Sequence, residues 1–247
     1  MGCKGGPGST DPGLYTCTNA DISFILTGAF HLQEYQYPAR ANADFTLYDI
    51  SAKVPPGTTS EQLDRMLQNL LIDRFKLAYH YEKKEMAGYE LVVGKGGIKM
   101  KESQPETSAP ADTGKADEPE AAAFVRATLG SDGFPKVPPP RPGTISMAML
   151  DGRARWSTIN TTMGGLADFL KLESSRPVTD ATGLQGKYDF TLSWVDDRRD
   201  SAAATLGFTG PTLVEAVEEQ LGLKMQRTKV LADVFVVDHW ERTPTGN

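Results

Sequence analysis

A stretch poor in large apolar residues divides this chain of 247 residues. Residues 101–142 read KESQPETSAPADTGKADEPEAAAFVRATLGSDGFPKVPPPRP and are rich in Pro, Ala, Ser and acidic residues. Such a composition buries too little apolar surface to offset the entropy of ordering the backbone, so we expect a flexible, disordered linker. The linker separates an N-terminal half (residues 1–100) from a C-terminal half (residues 143–247), and each half is long enough for a small domain.

Hydrophobic periodicity predicts both strands and helices in the N-terminal half. Asn19 is a candidate N-cap for a first helix. Thr58 with Glu61 matches a capping box, and leucines at helical spacing follow it, so a second amphipathic helix begins there. Alternating and β-branched runs predict strands at Leu14–Thr18, Phe45–Val54, Phe75–Tyr81 and Tyr89–Val93, the last two joined near a turn at Ala87–Gly88.

The C-terminal half shows the same order of patterns. A helix capped by Asn160 or Thr161 follows the first strand, and Thr212 with Glu215 forms a second capping box. The predicted strands are Ala154–Ile159, Tyr188–Val195, Leu223–Arg227 and Val234–Trp240, the last two as a pair. Both halves therefore read β-α-β-α-β-β, and the fold class is α+β with helices covering a small sheet in each half.

Several matched positions suggest an internal duplication. Asn19 matches Asn160, Phe45–Leu47 matches Phe190–Leu192, Leu63 matches Leu213, and Leu91–Val93 matches Phe235–Val237. The spacing between matched positions stays nearly constant, as expected for a repeat with small insertions in loops. The alternative is that strand and helix order recurs by chance, as it does in many α+β proteins.

Charge and hydropathy exclude two classes of partner. The formal net charge is −6, whereas a general nucleic-acid binder has a basic face. No apolar run exceeds about five residues, so we expect no transmembrane segment, which needs about 20. The partner is therefore an unknown protein or small molecule, and no nucleic acid.

The two cysteines lie close together near the N-terminus. Cys3 and Cys17 enclose a Gly- and Pro-rich stretch that a disulfide can close in an oxidising compartment. The alternative is two unrelated thiols. The chain begins Met-Gly-Cys-Lys, without the basic and then apolar leader of a signal peptide. No Cys/His spacing predicts a metal site.

No motif predicts a catalytic residue or a cofactor-binding residue. His31, His80 and His239 lie in different predicted elements, and none has the spacing of a metal-ligand pair. A nucleophile elbow and a dinucleotide-binding fingerprint are both missing from the sequence. Gly94-Lys95-Gly96-Gly97 follows a strand but leads to no helix, so it predicts a tight turn and not a phosphate-binding loop. We therefore expect no cofactor.

Long strings of the chain resemble one family. GGPGSTDPGLYTCTNADISFILTGAFHLQEYQY and FTLYDISAKVPPGTTSEQLDRMLQNLLIDRFKLAYHYEKKEMAGYELVVGKGGIKMKES in the first half are similar to the soil-associated protein family of Acidobacteria, a domain of unknown function. TTMGGLADFLKLESSRPVTDATGLQGKYDFTLSWV and GPTLVEAVEEQLGLKMQRTKVLADVFVVDH in the second half are similar to it too.

The resemblance implies an exported protein without an established reaction. Family members usually carry an export signal before the region that begins here, which suggests a truncated gene model or a lost leader. The same domain forms the extracytoplasmic part of sensor-type membrane metallopeptidases. We therefore expect a periplasmic or secreted, non-enzymatic binding, interaction or sensing module. The alternatives are a hydrolase whose residues converge only in space and a structural component of an envelope assembly.

Overall fold

The computed structural model describes residues 2–38, 46–103, 128–137, 139–140, 145–196 and 207–246. These residues form a mixed α+β fold, as the sequence predicts, and their strands make three small sheets. The α-helices are α1 (Ile22–Ala29), α2 (Ser60–Phe75), α3 (Met163–Ser174) and α4 (Leu213–Ala216), which continues as a π-helical segment, Val217–Leu221. The strands are β1 (Gly2–Gly5), β2 (Leu14–Asp21), β3 (Leu47–Lys53), β4 (Ala78–Val93), β5 (Lys101–Glu102), β6 (Ile145–Leu150), β7 (Arg153–Thr162), β8 (Val178–Asp180), β9 (Lys187–Val195) and β10 (Leu223–His239).

The chain forms two compact units. Unit 1 comprises Met1–Met86 and Leu231–Asn247, and unit 2 comprises Ala87–Val230. The long strands β4 and β10 therefore each contribute residues to both units. The units differ from the predicted halves, because residues 87–100 group with unit 2 and the C-terminal residues group with unit 1.

Unit 1 packs its two α-helices on an antiparallel sheet of order β1-β2-β3. One face of α2 is buried because its apolar residues recur every four positions, at Leu63, Leu67, Leu71 and Phe75. Ile22, Ile25, Leu26 and Ala29 of α1 are buried in the same core. Phe235 of β10 joins this core and stacks on Tyr79 with ring centroids 4.7 Å apart.

Unit 2 is built on a four-stranded antiparallel sheet of order β5-β9-β7-β6. Trp156 of β7 and Trp194 of β9 are fully buried on it. Helix α3 packs Leu166 and Leu170 into the same core, and the π-helical segment adds Leu221. Strand β8 pairs in parallel with the end of β4, where Tyr89 lies opposite Val178.

The two sheets share one irregularity. A bulge interrupts the β2–β3 register between Cys17 and Ala20, and another interrupts the β7–β9 register between Thr158 and Thr161. Asn19 and Asn160 lie within these bulges, with positive φ angles of 51° and 62°. Asparagine tolerates this left-handed backbone better than most residues. Both asparagines are thus bulge residues, and the prediction that they cap helices is wrong.

The helix caps lie close to the predicted positions. The N-caps of α1 and α3 are Asp21 and Thr162, in place of Asn19 and of Asn160 or Thr161. The capping box of α2 is Thr59 with Gln62, one residue beyond the predicted Thr58 and Glu61. The hydroxyl of Thr58 instead donates to the carbonyl of Pro55 at 2.7 Å. The capping box of α4 is the predicted pair, Thr212 with Glu215.

The two predicted strand pairs are wrong. Ala87 and Gly88 lie inside the continuous strand β4, and β10 is likewise continuous from Leu223 to His239. Gly88 reflects a close approach and not a turn, because a Cβ there would lie 2.5 Å from the carbonyl oxygen of Pro177. The order in the N-terminal half is therefore two strands, a helix, a strand, a helix and one long strand, and the C-terminal half differs by the additional short strand β8 after its first helix.

Both ends of the predicted linker belong to unit 2. Lys101–Glu102 forms strand β5 against β9, and Ser103 donates a backbone hydrogen bond to Lys187. On the other side, Leu129 forms a β-bridge with Pro135. Residues 104–127 lie outside the described residues, so the flexibility of this part of the linker stays a prediction.

Candidate functional site

A partly open concavity of unit 1 lies between its two α-helices and strand β1, and we call it the α1–α2 groove. Its volume is about 540 Å³, which is within the range of small-molecule sites. The side chains that line it are mostly apolar. They belong to Cys3, Tyr15, Phe24, Ile25, Thr27, Gly28, Ala29, Leu32, Leu63, Asp64 and Leu67.

The local sequence explains why the groove is apolar. Leu63 and Leu67 are one turn apart on α2, and Ile25 and Ala29 are one turn apart on α1. These two pairs are buried where the helices meet. The side-chain amide of Gln68 donates to the carbonyl of Ala29 at 2.7 Å and so holds the end of α1 against α2. The floor of the groove is therefore held by packing and by a hydrogen bond.

Gly28 leaves space on the α1 side of the groove. A Cβ built on this helical residue would meet no heavy atom within 4 Å. Glycine inside a helix costs roughly 0.5–1 kcal/mol relative to alanine, and here no crowding requires it. The missing side chain keeps this part of the groove open.

Asp64 is the one charged side chain among the residues that line the groove. It follows Leu63 on α2, and its side chain is 23% exposed. Its Oδ2 lies 2.7 Å from Nε2 of His31, whose side chain is 74% exposed. Burial, and secondarily the charge of Asp64, raise the pKa of Tyr15 above its usual value of 10.0. The groove thus combines an apolar floor with a carboxylate and a neutral phenol.

The hairpin of β1 and β2 forms one wall of the groove. Register places Cys3 directly opposite Cys17, and the structure joins the two side chains in a disulfide. Cys17 is buried in the core, whereas Cys3 lines the groove. The cross-link therefore ties the wall to the core.

The three histidines do not converge on one site. His31 lies at the edge of the groove, and His239 ends strand β10. His80 lies on β4, with Nδ1 2.9 Å from the Asp238 carboxylate and Nε2 3.2 Å from Glu82. Hydrogen bonds to Asp238 and then to Glu82 raise the pKa of His80 above its usual value of 6.5.

The described residues hold neither a metal cluster nor a nucleophile paired with a histidine. No group of three His, Cys, Asp or Glu side chains lies close enough to bind a metal among them. Each histidine hydrogen bond found in this part of the chain goes to a carboxylate, and none goes to a serine or threonine. A hydrolase of the Ser-His-Asp type needs that second contact.

Sequence reasoning did not identify the groove. Asp64 lies among the leucines of α2 in the sequence, and a single acidic residue in such a helix predicts only a solvent-exposed side chain. Gly28 gave a usable signal, since a glycine between Leu26 and Ala29 interrupts an otherwise strong helical pattern. Asp64 and Gly28 approach the same groove only because the two helices pack together, and no local pattern encodes that.

A family model described as protein of unknown function (DUF3738) matches residues 24–240. The chain belongs to that family. The match runs from within α1 to just past the end of β10 and confirms the prediction of an uncharacterised domain. No curated protein and no solved structure matches the chain. Within the described part of this DUF3738 protein, none of the helices has the length and apolarity needed to cross a membrane.

Proposed function

We propose that the protein is a non-enzymatic, extracytoplasmic binding module whose ligand occupies the α1–α2 groove. The ligand is a small molecule with an apolar body and a protonated amine. One observation carries this proposal: a single carboxylate, Asp64, lines an otherwise uncharged and mostly apolar concavity. A cation in the ligand restores charge balance there, and apolar groups gain by leaving water.

The neighbours of Asp64 suggest that a ligand can displace the contact between Asp64 and His31. His31 holds the carboxylate from the solvent side, and its imidazole is mostly exposed. A ligand ammonium can take this place because the imidazole can return to water at little cost. The hydroxyl of Thr27 already donates within its own helix, at 2.9 Å to the carbonyl of Ser23. Asp64 is therefore the groove's main charge-recognition group.

A binding function explains more of the described residues than a hydrolase activity does. The histidine at the groove contacts a carboxylate but no hydroxyl or thiol nucleophile among the described side chains. The cysteine at the groove is held in a disulfide, so it offers no thiolate. Apolar lining with one oriented charge is typical of recognition sites.

Matched amines and alcohols test the proposed ligand class. The probes are phenethylamine and 4-phenylbutylamine, each compared by calorimetric titration with the alcohol of the same length. A charge-assisted hydrogen bond contributes roughly 1.5–3 kcal/mol, so we expect each amine to bind about tenfold or more tightly than its alcohol. Asp64→Asn abolishes this preference. Asp73→Asn, an exposed acid on the same helix, preserves it.

A second variant tests the location. Gly28→Leu adds a side chain in the open space of the groove and removes binding of both the amine and the alcohol. Gly28→Ala is the control for folding, because it adds helix propensity with no atom to clash with. Equal binding of amine and alcohol contradicts the ligand class, and unchanged binding by Gly28→Leu contradicts the groove.

The extracytoplasmic location rests on the resemblance and on the cysteines. A disulfide between Cys3 and Cys17 persists in an oxidising compartment and is rare in the cytosol. An internal duplication is also part of the proposal. It is supported by the bulges at Asn19 and Asn160 and by the capping boxes that begin at Thr59 and Thr212.

The bulges and caps change which positions of the two halves correspond in the proposed duplication. Tyr48 pairs with Ala20 and Tyr188 pairs with Thr161, so Tyr48 corresponds to Tyr188. Phe45 of the matched run Phe45–Leu47 lies outside the described residues, whereas Leu47 pairs with Asp21 and so corresponds to Lys187 in this alignment and not to Leu192. In the same way, the caps align Leu63 with Ala216 in place of Leu213.

A further inference from the structure

Unit 2 contains a basic depression at the end of strand β4, which we call the glycine-loop pocket. Its volume is about 320 Å³. Four glycines, three lysines and one glutamate line it: Gly94, Lys95, Gly96, Gly97, Lys99, Glu218, Gly222 and Lys224. It shares no lining residue with the α1–α2 groove.

Three lysines from two backbone segments line this pocket in a chain of net charge −6. Lys95 lies in the turn, Lys99 follows it, and Lys224 is the second residue of β10. The ion pairs found among the described residues include none of these three lysines. Glu218 lines the pocket without an ion pair to any of them. With three lysines and one glutamate, the pocket therefore carries an excess of positive charge.

The loop that carries Lys95 is held closely against the end of the π-helical segment. Gly94 donates its N–H to the carbonyl of Gly222 at 2.9 Å, and Lys99 donates its N–H to that of Leu221 at 2.9 Å. Gly222 has a φ of +70°, and a Cβ there would lie only 2.1 Å from the carbonyl oxygen of Gly97. Only glycine permits this approach.

The ammonium of Lys99 is also fixed in place, because it donates to the carbonyl of Glu219 at 2.7 Å. The turn itself is closed by the N–H of Gly97, which donates to the carbonyl of Gly94 at 3.0 Å. The N–H groups of Lys95 and Gly96, between these two residues, donate to no group in the described part of the protein. The pocket thus combines three lysines with two backbone N–H groups that have no acceptor among the described residues.

From this arrangement we infer that the glycine-loop pocket binds a phosphate monoester. A phosphoryl group has three terminal oxygens and up to two negative charges, so it can use several ammonium and N–H donors at once. A carboxylate has only two oxygens for the same donors. Glu218 repels a second anionic group and accepts a hydrogen bond from a hydroxyl. The ester is therefore expected to carry a hydroxylated organic part.

Amide chemical shifts of the full chain test this inference. Glycerol 3-phosphate is titrated at low salt, and sodium chloride of equal ionic strength is the control for screening. We expect saturable shifts at the amides of Lys95 and Gly96 with the ester and none of comparable size with chloride. Linear, unsaturated shifts that chloride reproduces would overturn the inference.

Charge-matched variants assign the site. Lys95→Gln with Lys224→Gln removes two ammonium groups, and we expect the affinity for glycerol 3-phosphate to fall at least about tenfold. Lys136→Gln with Lys187→Gln removes two exposed lysines elsewhere in unit 2 and leaves the affinity within about twofold. Equal losses in both double variants would show a diffuse charge effect and overturn the inference.

Glu218→Gln tests the orientation of the ester. We expect it to tighten binding of inorganic phosphate, since a repelling charge is lost, more than it tightens binding of glycerol 3-phosphate.

Co-sedimentation with phosphatidylcholine vesicles that contain phosphatidic acid identifies the source of the ester. Binding that depends on Lys95 and Lys224 assigns a lipid headgroup, and binding to soluble ester alone assigns a free metabolite. Both results support the phosphate site, and binding in neither arm overturns it.

Discussion

The backbone N–H of Asn160 donates to Oδ1 of Asp189 at 2.9 Å. In unit 1, the N–H of Asn19 donates to Oδ1 of Asp49 at the same distance. Each bond crosses from a bulged strand to its neighbour and satisfies a donor that the bulge removes from the strand ladder. The next helix begins three residues later in both units, so the bulge fixes where that helix starts.

Truncation of a buried leucine tests the packing of α2. Leu67 is buried on this helix, and Val217 of the π-helical segment is buried as well. We expect Leu67→Ala to lower the free energy of unfolding of unit 1 by about 2–5 kcal/mol. Chemical denaturation followed by tryptophan and tyrosine fluorescence measures the change.

Asn69 supplies the control for that truncation. Gln68 is unsuitable because its amide bonds to Ala29, whereas Asn69 is exposed on the same helix. We expect Asn69→Ala to change the free energy of unfolding by under about 0.5 kcal/mol. Similar losses at Leu67 and Asn69 would show that the buried face of α2 is assigned incorrectly.

Removal of the disulfide between Cys3 and Cys17 tests the wall of the groove. Closing a loop of about 15 residues stabilises a protein by about 3 kcal/mol in the chain-entropy model, so Cys3→Ser with Cys17→Ser lowers the melting temperature. Thiol counting on denatured protein exported to a periplasm checks the pairing. Two free thiols per chain in that sample would contradict both the disulfide and the proposed compartment.

The His80 contacts predict a dependence on pH. The raised pKa means that protonated His80 stabilises the folded state below about pH 6.5, and that this contribution is lost as the pH rises through the folded-state pKa. Asp238, Glu82 and, through Glu82, Lys84 surround the imidazole. We expect Asp238→Asn to lower the pKa of His80, as measured by the Cε1–H chemical shift.

Asp233 provides a nearby control for this titration. It pairs with Lys83 at 3.2 Å and does not contact the imidazole. Asp233→Asn therefore changes the pKa of His80 less than Asp238→Asn does. An unchanged pKa in Asp238→Asn would remove the assigned cause of the shift.

Replacing part of the linker tests its role. A Gly/Ser segment of equal length in place of residues 106–125 keeps the closure entropy nearly constant. Because this composition predicts no packed core, we expect the melting temperature to change by only about one or two degrees. The described neighbours, strand β5 and Leu129, stay intact in this variant. A larger fall, or loss of soluble protein, would show that the segment packs on a unit.

The apolar pattern predicted most elements because burial of one face dictates the period of a helix or strand. It placed α2 and the strand that contains Trp194 within a few residues. The caps of α1, α2 and α3 were displaced by one or two positions, whereas that of α4 was placed correctly. In α2 the choice was open because Thr58 and Thr59 both satisfy the capping pattern. The hydroxyl of Thr58 donates locally to the carbonyl of Pro55, and Thr59 is left to cap the helix.

The long strands could not be predicted because their continuity depends on distant partners. Ala87–Gly88 has the composition of a turn, yet Gly88 is where Pro177 approaches the strand. Tyr89 donates its N–H to the carbonyl of that same proline at 2.9 Å. The groove was missed for a related reason, since Asp64 and Gly28 belong to different helices.

The arrangement of β10 has a consequence for synthesis on the ribosome. The core of unit 1 includes Phe235, and the backbone N–H of Glu241 donates to the carbonyl of Phe75 at the end of α2. Residues 2–86 are translated first but cannot complete this core until translation has passed through all of unit 2. The N-terminal unit must therefore wait, partly exposed, for the last segment of the chain to be made. The unit whose synthesis begins first therefore completes its core last. Its apolar residues stay exposed in the meantime, so we expect chaperones to bind this part of the chain during synthesis.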